Sequence, residues 1–327
     1  MQTLSPFNFI SVIWLLIFIL LTGRISNASV SVLSNDAQSS LEELLDRVEN
    51  ARSNSSDRIQ AASYAEKALF NMSNIDSSLL DRLEQMTVGQ DIETQTYAVR
   101  ILSGIDNDRI VQINQKIAKR SSCSMSLRAS AIASLGVHSK KSEKREEELV
   151  VLRELLKDKN DYIKANAATA LAVNGDTTGL PVAIGLLSEN STNPEKQSAR
   201  LQAIYALGRL RNSEALGVLK SASFDQDKFV RSEAIRAQRE IEYYQLISDV
   251  ERIRMLERNL NDSSWGPQRE WAVIRLLRIV DQEDQGDSNQ AKYLLTKAVK
   301  DAQHPAHKYV ARIFAARCEK DLRFCQQ

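Results

Sequence analysis

Two of the three histidines in the chain have a spacing that can bind a metal ion. His304 and His307 form an H-x-x-H pair, and imidazole nitrogen is a common zinc ligand. The third histidine, His138, is distant in sequence, and no cluster of cysteines accompanies the pair. The sequence also contains no G-x-S-x-G, P-loop, G-x-G-x-x-G or H-E-x-x-H motif. We therefore expect no metal site and no cofactor, and we expect that the protein is not an enzyme.

Basic side chains recur at regular intervals along the later two thirds of the chain, where they could form a stripe that binds an anion. They are Arg128, Lys164, Arg200, Arg231, Arg269 and Lys308. Each of them stands three residues before an alanine. Side chains at such regular intervals need repeated structural elements to position them.

The alanines belong to a pattern that recurs eight times. It consists of an aliphatic or small residue, Arg or Lys, two variable residues, Ala, two more variable residues, and a small residue often followed by Leu. Its clearest copies begin at Leu127, Ile163, Ala199 and Val230. The central alanines stand at positions 65, 98, 131, 167, 203, 234, 272 and 311, between 31 and 39 residues apart. A period of this length is typical of stacked helical repeats.

A second amphipathic segment lies between successive copies of the pattern. In segments such as 149–158 and 291–301, apolar residues recur at i, i+3, i+4 and i+7, as in a helix with one buried face. No window alternates with a period of two, so we predict no sheet. Each unit is then a helix A, a short turn and a helix B, and the small alanines let neighbouring helices approach closely. The predicted fold is an all-α solenoid of about eight stacked helical hairpins.

The pattern resembles the HEAT-repeat family, in particular the short bacterial units known as PBS-lyase-type HEAT repeats. The residues that carry the resemblance include Leu127-Arg128…Ala131, Ile163-Lys164…Ala167, Ala199-Arg200…Ala203 and Val230-Arg231…Ala234. It covers residues 38–320 and is strongest over 120–240. The resemblance implies the architecture and says little about function. HEAT-repeat hydroxylases bind iron through His-Glu pairs, and this sequence contains no His-Glu dipeptide.

The resemblance also implies a role for the row of basic residues. In HEAT families an Asp in the turn between helices A and B often meets this basic residue, which gives a structural ladder between repeats. Asp158 with Lys164 and Asp225 with Arg231 have a matching spacing of six residues. We favour the ladder over an anion-binding stripe, because partly buried charges need partners.

Further basic residues on the later B helices predict a positively charged groove. Residues 195–211, 227–242, 266–280 and 305–317 contain 14 Lys or Arg and 6 Asp or Glu. If the B helices line the concave side, an acidic peptide or another anionic polymer would be favoured there. The alternative is that these are ordinary solvated helix faces. The candidate groove residues are Arg209, Arg211, Arg236, Arg239, Arg275, Arg278 and, as an exposed aromatic anchor, Trp265.

The first thirty residues have the pattern of an export signal. Residues 8–22 form an apolar run of the length of a secretory h-region, shorter than a typical membrane span. Ser26 and Ala28 are small residues at the positions required for cleavage after Ala28, although no Lys or Arg precedes the run. We expect residues 1–28 to be a cleaved signal peptide and the protein to be periplasmic or secreted. The alternative is an uncleaved anchor that holds the protein to a membrane through residues 8–22.

The remaining segments complete the predicted organisation. We expect a flexible leader over residues 29–40, the solenoid over 41–320 and a C-terminal tail over 321–327. In an oxidising compartment Cys318 and Cys325 could close a disulfide and leave Cys123 free, and three reduced thiols are the alternative.

A repeat surface without a catalytic motif predicts a scaffold or adaptor of the cell envelope that binds a protein or peptide. The chain has 43 basic and 42 acidic residues, a balance that gives no support to nucleic-acid binding. The alternative function, implied by the likeness to phycobilin lyases, is a lyase- or chaperone-like protein that acts on a protein-bound chromophore or client.

Overall fold

Sixteen α-helices follow one another as eight hairpins in a computed structural model, which contains no strand over the described residues. These are residues 36–320 except 51, 53, 71–74, 90, 104–107, 140–141, 143–144, 190–192, 263–265, 282–285 and 302. The predicted signal peptide, most of the leader and the C-terminal tail lie outside them. No helix among the described residues is long and apolar enough to cross a membrane.

Each hairpin pairs an A helix with a B helix, as the alternating sequence patterns predict. The A helices are α1 (Asp36–Glu49), α3 (Ser77–Met86), α5 (Asp108–Lys119), α7 (Arg145–Leu155), α9 (Leu180–Ser188), α11 (Leu216–Ala222), α13 (Asp249–Asn261) and α15 (Ser288–Lys300). The B helices are α2 (Ser55–Phe70), α4 (Ile92–Leu102), α6 (Met125–Ser139), α8 (Asp161–Val173), α10 (Pro194–Leu210), α12 (Lys228–Gln245), α14 (Gly266–Val280) and α16 (His307–Lys320). The chain is therefore an all-α solenoid.

Short polar side chains begin many of the helices. The carboxylate of Asp227 accepts hydrogen bonds from the backbone N–H groups of Phe229 and Val230, at 2.7 and 3.0 Å. The Asp91 side chain caps α4 in the same way. These caps satisfy backbone N–H groups that have no partner within their own helix, so each turn fixes where the next B helix starts.

The B helices form the more closely packed of the two layers. From α2 to α14, each B helix packs along the next B helix, whereas neighbouring A helices meet at few points. A stack whose two layers differ in this way curves toward the closely packed layer. The B helices therefore line the concave side of the solenoid.

Small residues on the B helices allow this close packing. The central alanines from Ala65 to Ala272 are completely buried. Gly136 of α6 lies directly against Ala170 of α8, so that a Cβ atom at position 136 would come within 2.7 Å of the Ala170 Cβ. The alanine pattern thus sets the distance between neighbouring B helices.

Candidate binding surface

Buried arginines of the B helices link consecutive hairpins. Arg128 of α6, only 5% exposed, places its guanidinium 2.5 Å from the carboxylate of Asp158 in the turn after α7. Its Nε also donates to the carbonyl oxygen of Ala118, at 2.9 Å. Each such arginine joins its own hairpin to the A–B turn of the next one, so the ladder ties repeats together.

The same arrangement occurs at two other places in the stack. Arg200 of α10 pairs with Asp225 in the turn after α11. Arg58 of α2 pairs with Asp91, donates to Glu93 at 2.9 Å and donates to the backbone oxygen of Val48. The sequence pattern did not identify Arg58, because it stands seven residues before its central alanine instead of three.

The ladder differs from the predicted pairing within a hairpin. Asp158 pairs with Arg128 of the preceding hairpin, whereas Lys164 pairs with Asp161 of its own helix at 2.5 Å. Arg231 donates to the backbone oxygen of Asp225, at 2.6 Å, and not to its carboxylate, which Arg200 occupies. The spacing of six residues was misleading because the arginine side chain is long enough to reach the neighbouring turn.

The last two basic residues of the row take different positions. Arg269 donates to the carbonyl oxygens of Asp262 and Pro305, at 2.7 and 2.6 Å. Lys308 is exposed. The row is therefore not one continuous set of ion pairs.

The ladder carboxylates are held in their charged form. Burial alone would raise the pKa of Asp91, but hydrogen bonds from Thr94 and Arg58 outweigh it and lower the pKa to about 2. Burial also opposes ionisation of Asp158 and Asp225, and their arginine partners likewise lower the pKa of each. A structural ion pair requires an ionised carboxylate. The lowered pKa keeps each of these carboxylates ionised at neutral pH.

Most of the predicted groove arginines have acidic partners within the chain. Arg236 pairs with Glu233, at 2.6 Å, and with Glu270 of the next B helix. Arg239 pairs with Glu242 of its own helix, at 2.6 Å. Their positive charge is offset locally, so the C-terminal part of the groove presents less positive charge than the residue counts predicted.

Glu240 of α12 is the acidic partner of two further groove arginines. It pairs with Arg275, which is only 5% exposed, and lies 3.5 Å from Arg211. Trp271 donates its indole N–H to the same carboxylate, at 3.1 Å, and is buried. Arg275 is therefore part of the interior of the solenoid and not of its binding surface.

Two further groove candidates, Arg209 and Arg278, lie within the described residues. Arg209 is half-buried at the end of α10, close enough to Tyr205 to oppose the rise in the Tyr205 pKa that burial causes. Arg278 is partly exposed on α14. Trp265, Cys325 and the side chain of Cys318 lie outside what the structure describes, so the anchor and the disulfide stay predictions.

The middle of the concave face carries uncharged and mostly small side chains. On α6, α8 and α10 we define a central strip, whose residues are exposed or half-exposed: Ser130, Ala133, Asn166, Thr169, Gln202 and Tyr205. Thr169 donates to the backbone oxygen of Gln202 at 3.1 Å, which fixes α8 against α10. Sequence reasoning missed the strip because its residues fall at variable positions of the repeat and carry no charge.

The two histidines of the H-x-x-H pair make separate hydrogen-bond contacts. His304 accepts the backbone N–H of Ala306 at Nδ1, at 3.0 Å, and its Nε2 lies 2.8 Å from Asn261 Oδ1. His307 makes a separate 3.3 Å contact with the Ala298 oxygen. Within the described ranges, no group of three or more His, Cys, Asp or Glu side chains could hold a metal ion.

We expect the buried His304 to make stability fall in mild acid. Burial lowers the pKa of His304, helped by Lys297, Arg269 and His307 and opposed by Asp301. The unfolded chain therefore takes up the proton first, and the stabilisation present above about pH 6.5 is lost as the pH falls below that value. The melting temperature should drop between pH 7 and pH 5.

His304→Gln should flatten this dependence, whereas His307→Gln should leave most of it in place, because burial is the largest cause of the lowered pKa of His304. Differential scanning calorimetry at several pH values measures both. If the melting temperatures of the wild type and His304→Gln depend on pH in the same way, His304 does not cause the loss of stability in acid.

The stacked hairpins, the alanine spacing and the ladder between hairpins define an α-solenoid built from helical repeats. The family model described as HEAT repeats matches residues 148–237 and 186–278, which include three of the four clearest copies of the pattern. The repeats over residues 148–278 are HEAT repeats. No curated protein matches the chain in sequence.

Solved structures with similar folds include YibA of Escherichia coli, at 19% identity and a TM-score of 0.49, covering 83% of this chain and 98% of that one. The complex of CpcE and CpcF of phycocyanin lyase from Nostoc sp. PCC7120 shows 15% identity and a TM-score of 0.45, covering 69% and 94%. Human deoxyhypusine hydroxylase in complex with glycerol shows 12% identity and a TM-score of 0.29, covering 64% and 98%. At these values none of the three indicates what this chain binds.

Proposed function

We propose that the protein is a non-enzymatic scaffold or adaptor that binds a protein or peptide in its concave groove. HEAT repeats generally mediate protein–protein interactions. The observation that carries the proposal is the central strip, where three consecutive B helices present uncharged and mostly small side chains to the groove. Small side chains let the backbone of a partner approach closely, and their hydroxyl and amide groups can hydrogen-bond with it.

We also propose that the partner of the groove is acidic. The support comes from Arg209, next to the central strip, and not from Arg236 or Arg275, whose charges are offset by glutamates. Arg209→Glu should then weaken binding mainly through a slower, salt-sensitive association rate. Unchanged association kinetics would remove the requirement for acidity and leave the groove proposal intact.

A bulky charged side chain in the central strip tests the site itself. Ala133 is exposed on the B helix α6, and Ala133→Arg should abolish co-purification of the partner from the native host. Val150→Arg is the matched control, because Val150 is 45% exposed on the A helix α7 of the next hairpin. Loss of the partner with Val150→Arg alone would place binding on the convex side.

We also propose that this binding takes place in the periplasm or outside the cell. The support is the apolar run of residues 8–22 and the small residues before Ser29. Fractionation followed by N-terminal sequencing of the native protein should give an envelope or secreted protein beginning at Ser29. A membrane-bound protein that retains residues 8–22 would favour the anchor, and a cytoplasmic one would contradict both.

A further inference from the structure

The apolar core is interrupted between the sixth and seventh hairpins. Over the described residues the core consists of three clusters, of which the first and second both draw residues from α6 and α8 and so interlock. The second and third share only α12, which contributes Ile241 to one cluster and Tyr243 to the other. Continuous apolar packing therefore stops at the C-terminal half of α12.

Few helices cross this interruption. Among the described helices, α12 is the one member of the first six hairpins that packs along the last two, and it does so against α14. By comparison, α8 packs against both helices of the following hairpin. The second and third hairpins also meet mainly through one pair, α4 and α6, but there one apolar cluster spans both hairpins. A junction that rests on one helix pair resists bending less than one supported by several.

Polar and aromatic side chains replace the missing apolar contact. Glu240 of α12 joins three hairpins, because it interacts with Arg211 at the end of α10 and with Arg275 and Trp271 of α14. The Tyr244 hydroxyl accepts from Arg275 at 2.8 Å. Three of these contacts share the Glu240 carboxylate, and a separate ion pair between Arg236 of α12 and Glu270 of α14 also crosses the junction.

The backbone at Arg211 has a strained conformation in the same place. Its φ angle of 55° lies in the left-handed region, which favours glycine. The guanidinium is stacked on the Tyr244 ring, with its carbon 3.2 Å from the ring centroid, and lies 3.5 Å from Glu240. The polar cluster therefore compensates the unfavourable backbone geometry, as is common at elements that change conformation.

From these observations we propose that the junction between the sixth and seventh hairpins is a hinge, fastened by Glu240, about which α13–α16 move relative to α1–α12. Release of the Glu240 contacts leaves the Arg236–Glu270 ion pair, the Arg275–Tyr244 hydrogen bond and the edge-to-face rings of Tyr243 and Trp271, 5.7 Å apart, as the contacts about which the hinge turns. Movement there changes the width of the concave groove at its C-terminal end. The inference does not depend on the partner proposed above, because it concerns the free protein.

Distance measurements between spin labels test the hinge. In a background carrying Cys123→Ser, Cys318→Ser and Cys325→Ser, one label pair at Gly217→Cys and Tyr293→Cys spans the junction. A second pair at Gly185→Cys and Gly217→Cys lies on one side of it. Tyr293 is 57% exposed, and a Cβ added at either glycine meets no atom within 4 Å, so these positions accept a label.

Glu240→Gln should widen the distance distribution of the spanning pair about twofold and leave that of the second pair unchanged. Glu242→Gln is the matched control, because Glu242 pairs only within α12, with Arg239 and Gln238, in its described contacts. If Glu240→Gln does not fold, Trp271→Phe removes one donor to Glu240 and keeps the aromatic packing, and a smaller widening is expected. A spanning distribution that stays as narrow as the second pair in both variants would overturn the hinge.

Discussion

Replacing Asp225 with asparagine should lower the free energy of unfolding by about 3–5 kcal/mol. The substitution keeps the shape of the side chain and removes the charge that faces Arg200. The two side chains are 9% and 3% exposed, so the Arg200 guanidinium would stay buried without its counter-ion. An uncompensated charge in that position costs far more than the loss of an ordinary hydrogen bond.

Urea titration followed by far-UV circular dichroism measures this loss, and hydrogen exchange of α10 and α12 localises it. The control is Lys196→Ala, which removes the exposed pair with Glu189, whose side chains are 44% and 53% exposed. Such pairs contribute roughly 0–1 kcal/mol. If Asp225→Asn costs no more than Lys196→Ala, the ladder does not hold the hairpins together.

Replacing Gly136 with alanine should destabilise the protein by about 1–3 kcal/mol, although alanine is the better helix former. The added Cβ would lie 2.7 Å from the Cβ of Ala170 and 2.9 Å from its Cα. The Cα of Ala170 is a backbone atom that no side-chain rotation can move away. The helices α6 and α8 must therefore move apart. Because Asn174, which follows α8, also donates to the Gly136 oxygen, at 2.8 Å, the separation would weaken that bond too.

Gly185→Ala is the control, and it is expected to raise the stability of the protein instead of lowering it. Gly185 lies within α9, where an added Cβ meets no atom within 4 Å. Helix propensity alone should then stabilise the protein by up to about 1 kcal/mol. Thermal melts of both variants measure these changes in stability. Stabilisation by Gly136→Ala would show that α6 and α8 are not in close contact at Gly136.

The fold could be predicted from the sequence because stacking constrains residue size at a fixed place in each repeat. Ala131, Ala167 and Ala203 recur in phase because each is completely buried at a helix crossing. This phase is a local property, visible in a window of ten residues. The eight hairpins and the absence of strands in the described residues follow from it.

The electrostatics of the groove could not be predicted in the same way. Arg236 meets Glu270 and Arg275 meets Glu240, which are 34 and 35 residues apart in sequence. Counting charges helix by helix does not show which arginines are neutralised across neighbouring helices. For the same reason, the ladder was assigned to partners six residues away instead of to the next turn.

The claim that the groove holds the partner is tested most directly by site-specific photo-cross-linking. A photoreactive amino acid at Ala133 or Gln202 lies in the concave face, whereas the same group at Val150 or Gly217 lies on the A helices. In the native host, the two groove positions should cross-link to one common protein, and the two A-helix positions should not. Cross-links to that protein from Val150 and Gly217, with none from Ala133 and Gln202, would contradict the account.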